Sequence, residues 1–201
     1  MTQQERISHL REFYPSLPDN LSVGGSLDLS GTAITSLPDN LSVGGSLHLS
    51  GTAITSLPDN LTVGGSIDLR STAITALPDN LTVGGSLHLS GAAITALPDN
   101  LTVGGSLYLH CTVIAALPDN LTVGGSLYLR GTAITECVQG CGDKNRTIAA
   151  YNHATRGRVV SLGCFIGTEE ECIEAIKREY SGKSAADYIA KVKQAFAYKK
   201  A

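Results

Sequence analysis

The stretch that decides the fold is Leu117–Thr135, LPDNLTVGGSLYLRGTAIT, because nearly the same words begin at Leu17, Leu37, Leu57, Leu77 and Leu97. The unit is L-P-D-N-L-[ST]-V-G-G-S-[LI]-x-L-x-[GSC]-[TA]-[AV]-I-[TA]-x, and six copies fill residues 17–136. A fixed period of 20 residues is the signature of a stacked repeat. Each copy holds one short alternating run, such as Ser126-Leu127-Tyr128-Leu129-Arg130. Alternation puts Leu127 and Leu129 on one face, and Tyr128 and Arg130 on the other. Too few residues separate successive runs for a packed helix. Each copy is therefore expected to form one coil of a solenoid, its strand lying parallel to the next at ~4.8 Å.

The other letters of the unit have local reasons. Leu-Pro-Asp-Asn reads as a turn, since Pro presets φ and Asp and Asn tolerate the bend. Gly-Gly permits backbone geometry or close packing that a side chain would block. Thr32, Thr52, Thr72, Thr112 and Thr132 stand two residues beyond the strand, where a hydroxyl can bond the corner backbone. Ile34, Ile54, Ile74, Ile94, Ile114 and Ile134 return to the core with the two turn leucines and the Val.

The pattern L-x-L-x-x-T-x-I-x-x-L-P-x-x-L resembles the bacterial LPX-type leucine-rich repeat, over about 60% of the chain. Thr stands where that family usually has Asn, and the Gly-Gly-Ser is a departure. The resemblance implies an α/β repeat solenoid, a leucine-rich-repeat horseshoe with the parallel sheet on its concave face.

Composition agrees with a repeat array followed by something else. The 201 residues are 42% hydrophobic but only 5% aromatic, without Trp, so the core must be aliphatic. Residues 1–136 carry 4 Lys/Arg against 11 Asp/Glu, net −7, and residues 137–201 carry 11 against 7, net +4. A boundary near 136 follows.

Solenoids need covers at both ends. Thr2-Gln-Gln-Glu5 reads as a capping box opening a helix over 2–13, so residues 1–16 are the N-terminal cap. Residues 137–201 form a C-terminal α+β capping domain. Arg146–Asn152 and Arg158–Gly163 read as a hairpin around His153–Gly157. Thr168-Glu-Glu-Glu171 opens a helix with Cys172, Ile173, Ile176 and Tyr180 inward, stopped near Gly182. Ser184-Ala-Ala-Asp187 opens a second, with Tyr188, Ile189, Val192 and Phe196 inward. This ββαα unit, through SLGCFIGTEEECIEAIKREY and YIAKVKQAF, resembles the short tail domains of repeat proteins encoded by phages and prophages.

No apolar run is long enough for a transmembrane helix, and the N-terminus lacks the apolar stretch of a signal peptide. Five cysteines without a dense framework point to a reducing compartment, the cytoplasm of a bacterial cell.

The copies can be compared with one another. Scaffold letters are nearly constant, whereas the outward strand positions change. The first row reads Asp28, His48, Asp68, His88, Tyr108, Tyr128; the second reads Ser30, Ser50, Arg70, Ser90, His110, Arg130. The constant letters build a rack and the changing ones are what it displays. Asp28, His48, Asp68, Arg70, His88, Tyr108, His110, Tyr128 and Arg130 are thus the candidate partner-binding residues, with the strongest contacts at Tyr108, His110, Tyr128 and Arg130. The bland alternative is a solvated strand face on which Tyr serves β propensity.

Other constellations weigh less. The alternation Asp28, His48, Asp68, His88 suits electrostatic pairing along a ladder better than the tetrahedral ligation of a metal. The Asp column Asp19, Asp39, Asp59, Asp79, Asp99 and Asp119 follows from turn chemistry before phosphate mimicry. Cys137, Cys141, Cys164 and Cys172 lack the C-x2-C spacing of zinc sites. LPX repeats also resemble those of secreted bacterial ubiquitin ligases with a Cys-x-Asp motif, which Cys141-Gly-Asp143 matches. Only about 60 residues follow here, too few for the helical catalytic domain those enzymes carry. The lysines and arginines of the tail read as a solvated helix face rather than a nucleic-acid patch.

The expectation is a non-enzymatic binding protein without cofactor, metal or membrane anchor. Its partner is expected to be a protein rather than a nucleic acid. The phage-like tail suggests inhibition of a host or defence protein. Sequestration of a small anionic ligand such as a nucleotide, and a structural role in a virion, are the alternatives.

Overall fold

The computed structural model describes residues 20–197, except Asp119, 133–137, 142–145, Ala154, Arg156, Gly163 and Cys164. The expected N-terminal helix over 2–13 lies outside the described residues.

The repeats form a parallel β-solenoid with a period of 20 residues, every ladder pairing residue i with i+20, as in Leu47↔Ile67. Each coil makes two short strands rather than the single strand expected. The first ladder stacks β1 (Ser22–Val23), β3 (Ser42–Val43), β5 (Thr62–Val63), β7 (Thr82–Val83), β9 (Thr102–Val103) and β11 (Thr122–Val123). The second stacks β2 (Leu27–Asp28), β4 (Leu47–His48), β6 (Ile67–Asp68), β8 (Leu87–His88), β10 (Leu107–Tyr108) and β12 (Leu127–Tyr128). The Gly-Gly-Ser between them turns the corner. Both strands point their aliphatic residues inward, so one interior coil buries Leu37, Leu41, Val43, Leu47, Leu49 and Ile54.

The constant letters prove to be joints between coils. Each Ser Oγ accepts from the backbone N–H of the next Ser, from Ser26←Ser46 at 2.9 Å to Ser106←Ser126 at 3.0 Å. The glycines beside them leave room for this. A Cβ on Gly65 would stand 2.7 Å from Ser46 Oγ, and one on Gly64 would stand 2.5 Å from Gly44 O. The corner threonines donate from Oγ1 to the Leu carbonyl three residues back, at 2.7 Å for Thr52–Leu49 and 2.9 Å for Thr112–Leu109. The turn asparagines Asn20, Asn40, Asn80 and Asn100 take left-handed φ of 57–60°. That region tolerates Asn better than most residues. Asn40 Nδ2 also donates to Asn20 Oδ1 at 3.0 Å, and Asn60 to Asn40 at 3.2 Å.

After the last coil the first sheet continues into the C-terminal unit. β14 (Arg146–His153) runs parallel to β11, pairing Thr122↔Asn152 and Val123↔His153. The expected hairpin is there: β15 (Gly157–Leu162) lies antiparallel to β14. Two shorter antiparallel strands flank it, β13 (Val138–Cys141) on β14 and β16 (Phe165–Gly167) on β15. Tyr151 closes the solenoid core. Its ring is buried among the coil aliphatics, and Oη donates to Gly125 O at 2.9 Å. In earlier coils that carbonyl accepts from the next Gly, as in Gly125 N→Gly105 O at 2.8 Å. The phenol stands in for a coil that does not follow.

Two helices cover the outside of this sheet, α1 (Glu169–Glu179) and α2 (Gly182–Ala197). The helix start expected at Thr168 is there, and it is a capping box: Thr168 Oγ1 accepts from Glu171 N at 3.3 Å, and Glu171 Oε2 accepts from Thr168 N at 2.9 Å. Cys172 and Ile176 are buried in a second core with Val160, Tyr188, Val192 and Ala195. Ile173, Tyr180, Ile189 and Phe196 pack half-buried against it. α2 begins at Gly182, two residues before the expected Ser184. No helix of the described residues is long and apolar enough to cross a membrane.

Candidate partner-binding face

The two variable rows lie side by side on the outer face of the second sheet. The ladder registers Asp28↔His48, His48↔Asp68, Asp68↔His88, Tyr108↔His88 and Tyr108↔Tyr128 bring the first row together in the expected order. Strand pairing sets the spacing, because Leu27, Leu47, Ile67, Leu87, Leu107 and Leu127 beside them are anchored inward.

At the N-terminal end the carboxylates serve the backbone. Asp28 Oδ1 accepts from Ser30 N at 2.9 Å. Asp68 Oδ1 accepts from Arg70 N at 3.1 Å in the same way. Arg70 then grips Asp68 through one edge of its guanidinium, Nε donating to Oδ1 at 2.9 Å and Nη2 to Oδ2 at 2.6 Å. Burial alone would push the Asp68 carboxyl up, but the Arg70 hydrogen bonds and charge, aided by His88, hold it below the ordinary carboxylate range. The same bonds raise Arg70, so it stays cationic. Burial lowers His88 despite the attraction of Asp68, and Arg70 and His48 push the same way, so the ring is held neutral more readily than an ordinary imidazole.

At the C-terminal end the display becomes aromatic. His88 stacks on Tyr108 with centroids 4.3 Å apart and planes 7° apart. Tyr108 stacks on Tyr128 at 4.6 Å and 5°. His110, in the neighbouring row, leans towards both phenols at 6.3 and 5.6 Å. Arg130 is exposed beside Tyr128. Within the column the rings spend their faces on one another, leaving their edges, the outer face of Tyr128, the imidazole of His110 and the guanidinium of Arg130 to meet a partner. Such a stack is rigid, so little side-chain entropy remains to be lost on binding. Sequence reading brought these residues onto one face but missed the stacking. The signal was present in the period itself, since rings one ladder step apart are within stacking distance.

The other constellations separate from this face. Asp39, Asp59, Asp79 and Asp99 are exposed along the turns, beside the bonded asparagines; Asp19 and Asp119 lie outside the described residues. Among the described residues no group of three or more His, Cys, Asp or Glu could hold a metal ion. Cys172 is buried, its thiol 3.5 Å from Gly167 O, and Cys111 is exposed. Cys137, Cys164 and the side chain of Cys141 lie outside the described residues. Lys177, Arg178, Lys183 and Lys193 face outward on the tail helices, while Tyr188 is buried beneath them. Lys191 pairs with Asp187 at 3.3 Å. No family model, no curated protein and no solved structure matches the chain.

Proposed function

We propose that this is a non-enzymatic binding protein that recognises a protein partner through the outer face of the second sheet. One observation carries the reading. Within a coil whose joints hardly vary, substitution concentrates on two adjacent rows, and there it assembles stacked His88, Tyr108 and Tyr128 beside Arg130. Rigid tyrosines next to an exposed arginine are the residues that most often anchor protein interfaces. The likeness to LPX-type leucine-rich repeats supports a horseshoe with this sheet on its concave side. The likeness of the tail to phage-encoded capping domains extends the reading to an inhibitor of a host or defence protein in the bacterial cytoplasm, acting by occupancy.

The test is affinity capture from host lysate, with wild type beside a variant carrying Ala at Tyr108, His110, Tyr128 and Arg130. A partner held by wild type and lost by the variant is the expected result. Equal retention moves the site off this face. A second reading, sequestration of a small anionic ligand, draws on His88, His110 and Arg130 around two phenols. It requires a nucleotide to raise the melting temperature with no protein partner present.

A further inference from the structure

The two sheets end differently. In each coil of the second sheet, three N–H groups point at the coil that follows. Leu107 N donates to Ser126 O at 2.9 Å, Leu109 N to Tyr128 O at 2.9 Å and Cys111 N to Arg130 O at 3.1 Å. The same bonds recur from Leu27, Leu29 and Gly31 onward. In the last coil the equivalent donors are Leu127, Leu129 and Gly131. β12 is the terminal strand of its sheet, so among the described residues these three groups meet no further strand. The first sheet, at the same end, is closed by β14 and by the Tyr151 hydroxyl on Gly125 O. Ser126-Leu127-Tyr128-Leu129 contains neither proline nor charge, and the edge is protected only by the shortness of β12 and by exposed Arg130 beyond it.

We propose that the β12 edge accepts one extended strand of the partner, added parallel to it, so that the partner's backbone continues the second sheet. The inference rests on the partner-binding reading above and gives its mode. The occupant is a single strand rather than a second copy of the coil, because β14–β16 already occupy the end of the first sheet, where a stacked coil would need to pair. Its side chains are specified by what they would lie against. Leu127 and Leu129 end rows that are aliphatic in every coil, so the strand continues those rows with aliphatic residues. Tyr128 is the last ring of a column spaced by 4.3 and 4.6 Å, so the residue between those aliphatics is aromatic. Exposed Arg130 calls for a carboxylate next in the row. The partner segment is therefore aliphatic–aromatic–aliphatic–acidic, held by main-chain bonds with pockets for alternate side chains.

The test uses the full chain and a fluorescein-labelled peptide spanning residues 124–132 with R130E, which carries that pattern. Anisotropy is expected to show binding with Kd below about 1 mM. Amide exchange at Leu127, Leu129 and Gly131 is expected to slow about tenfold in the complex. Tyr128→Ala and Arg130→Ala each weaken the peptide several-fold, and a scrambled peptide does not bind. No binding at that concentration, or binding that leaves the three amides unchanged, overturns the proposal. A lysate partner lost by the four-alanine variant but leaving these amides unprotected keeps the face reading and removes strand addition. Peptide protection of the amides with no partner lost by that variant keeps the strand-accepting edge and removes the face.

Discussion

Gly64→Ala tests whether the solenoid is held by backbone contact between coils. The added Cβ would stand 2.5 Å from Gly44 O, 3.3 Å from its carbonyl carbon and 3.7 Å from its Cα. All three are backbone atoms, so no side chain can rotate away. Relief requires the two coils to part, which strains Gly64 N→Val43 O at 2.9 Å and Gly65 N→Gly45 O at 2.8 Å. Each such bond contributes about 1 kcal/mol, and overpacking a tight contact costs about 1–3 kcal/mol. Replacing Gly with Ala returns about 0.4–1 kcal/mol through the unfolded chain. The net expectation is a loss of about 2–5 kcal/mol, or about 4–20 °C in Tm for a chain of this size. Gly24→Ala is the control, because at the same place in the first described coil a Cβ meets nothing within 4 Å. Neither glycine has left-handed φ, so conformational strain does not distinguish them. Far-UV circular dichroism melts of both variants decide the matter. G64A far below wild type with G24A equal to or slightly above it is the expected result. Equal melting of the two variants would refute close backbone approach as the reason for the Gly-Gly pair.

Three further outcomes follow from the joints and the display face. Ala92→Thr restores the corner hydroxyl that Thr72 and Thr112 use on Leu69 O and Leu109 O at 2.8 and 2.9 Å; it should stabilise by about 1 kcal/mol, read as a Tm rise of about 2–4 °C. Tyr151→Phe keeps the buried ring but leaves Gly125 O without its donor, so stability should fall by about 1–3 kcal/mol in urea melts. His88 is held below its ordinary value of 6.5, first by burial, so the unfolded chain takes up a proton that the folded chain resists. Its contribution is intact above that value and is lost as pH falls through it. His88→Phe keeps a ring on Tyr108 and should flatten the melting temperature between about pH 7 and about pH 5; an unchanged slope would assign it to another group.

Much of this was legible because repetition multiplies weak signals. One Thr after a strand says little, but Thr32, Thr52, Thr72, Thr112 and Thr132 at one phase declare a corner, and each donates there. The helix start at Thr168 and the hairpin around His153–Gly157 were readable from local chemistry alone. The strand of the first ladder in each coil was not. Thr62–Val63 is two residues long, follows a turn and precedes Gly-Gly, so no alternation marks it. The Ser ladder escaped because it exists only between coils, where one Oγ meets another residue's N–H. The partnership of Tyr151 with Gly125 spans 26 residues and two kinds of structure, and no local pattern carries it. On the display face, alternation gave the rows, whereas the grip of Arg70 on Asp68 and the weakened proton affinity of His88 depend on burial and contacts that only the folded chain defines.

The Ser-to-Ser bond has a consequence for heredity. It joins identical letters, so every internal seam is interchangeable with every other. Losing or duplicating one whole unit in the gene leaves no foreign joint behind: Ser46 can follow Ser26, and so can Ser66. The C-terminal unit would still find the same final coil. A lineage can therefore lengthen or shorten the rack by unequal crossing-over and shuffle the order of displayed residues, without first inventing a new way to fold.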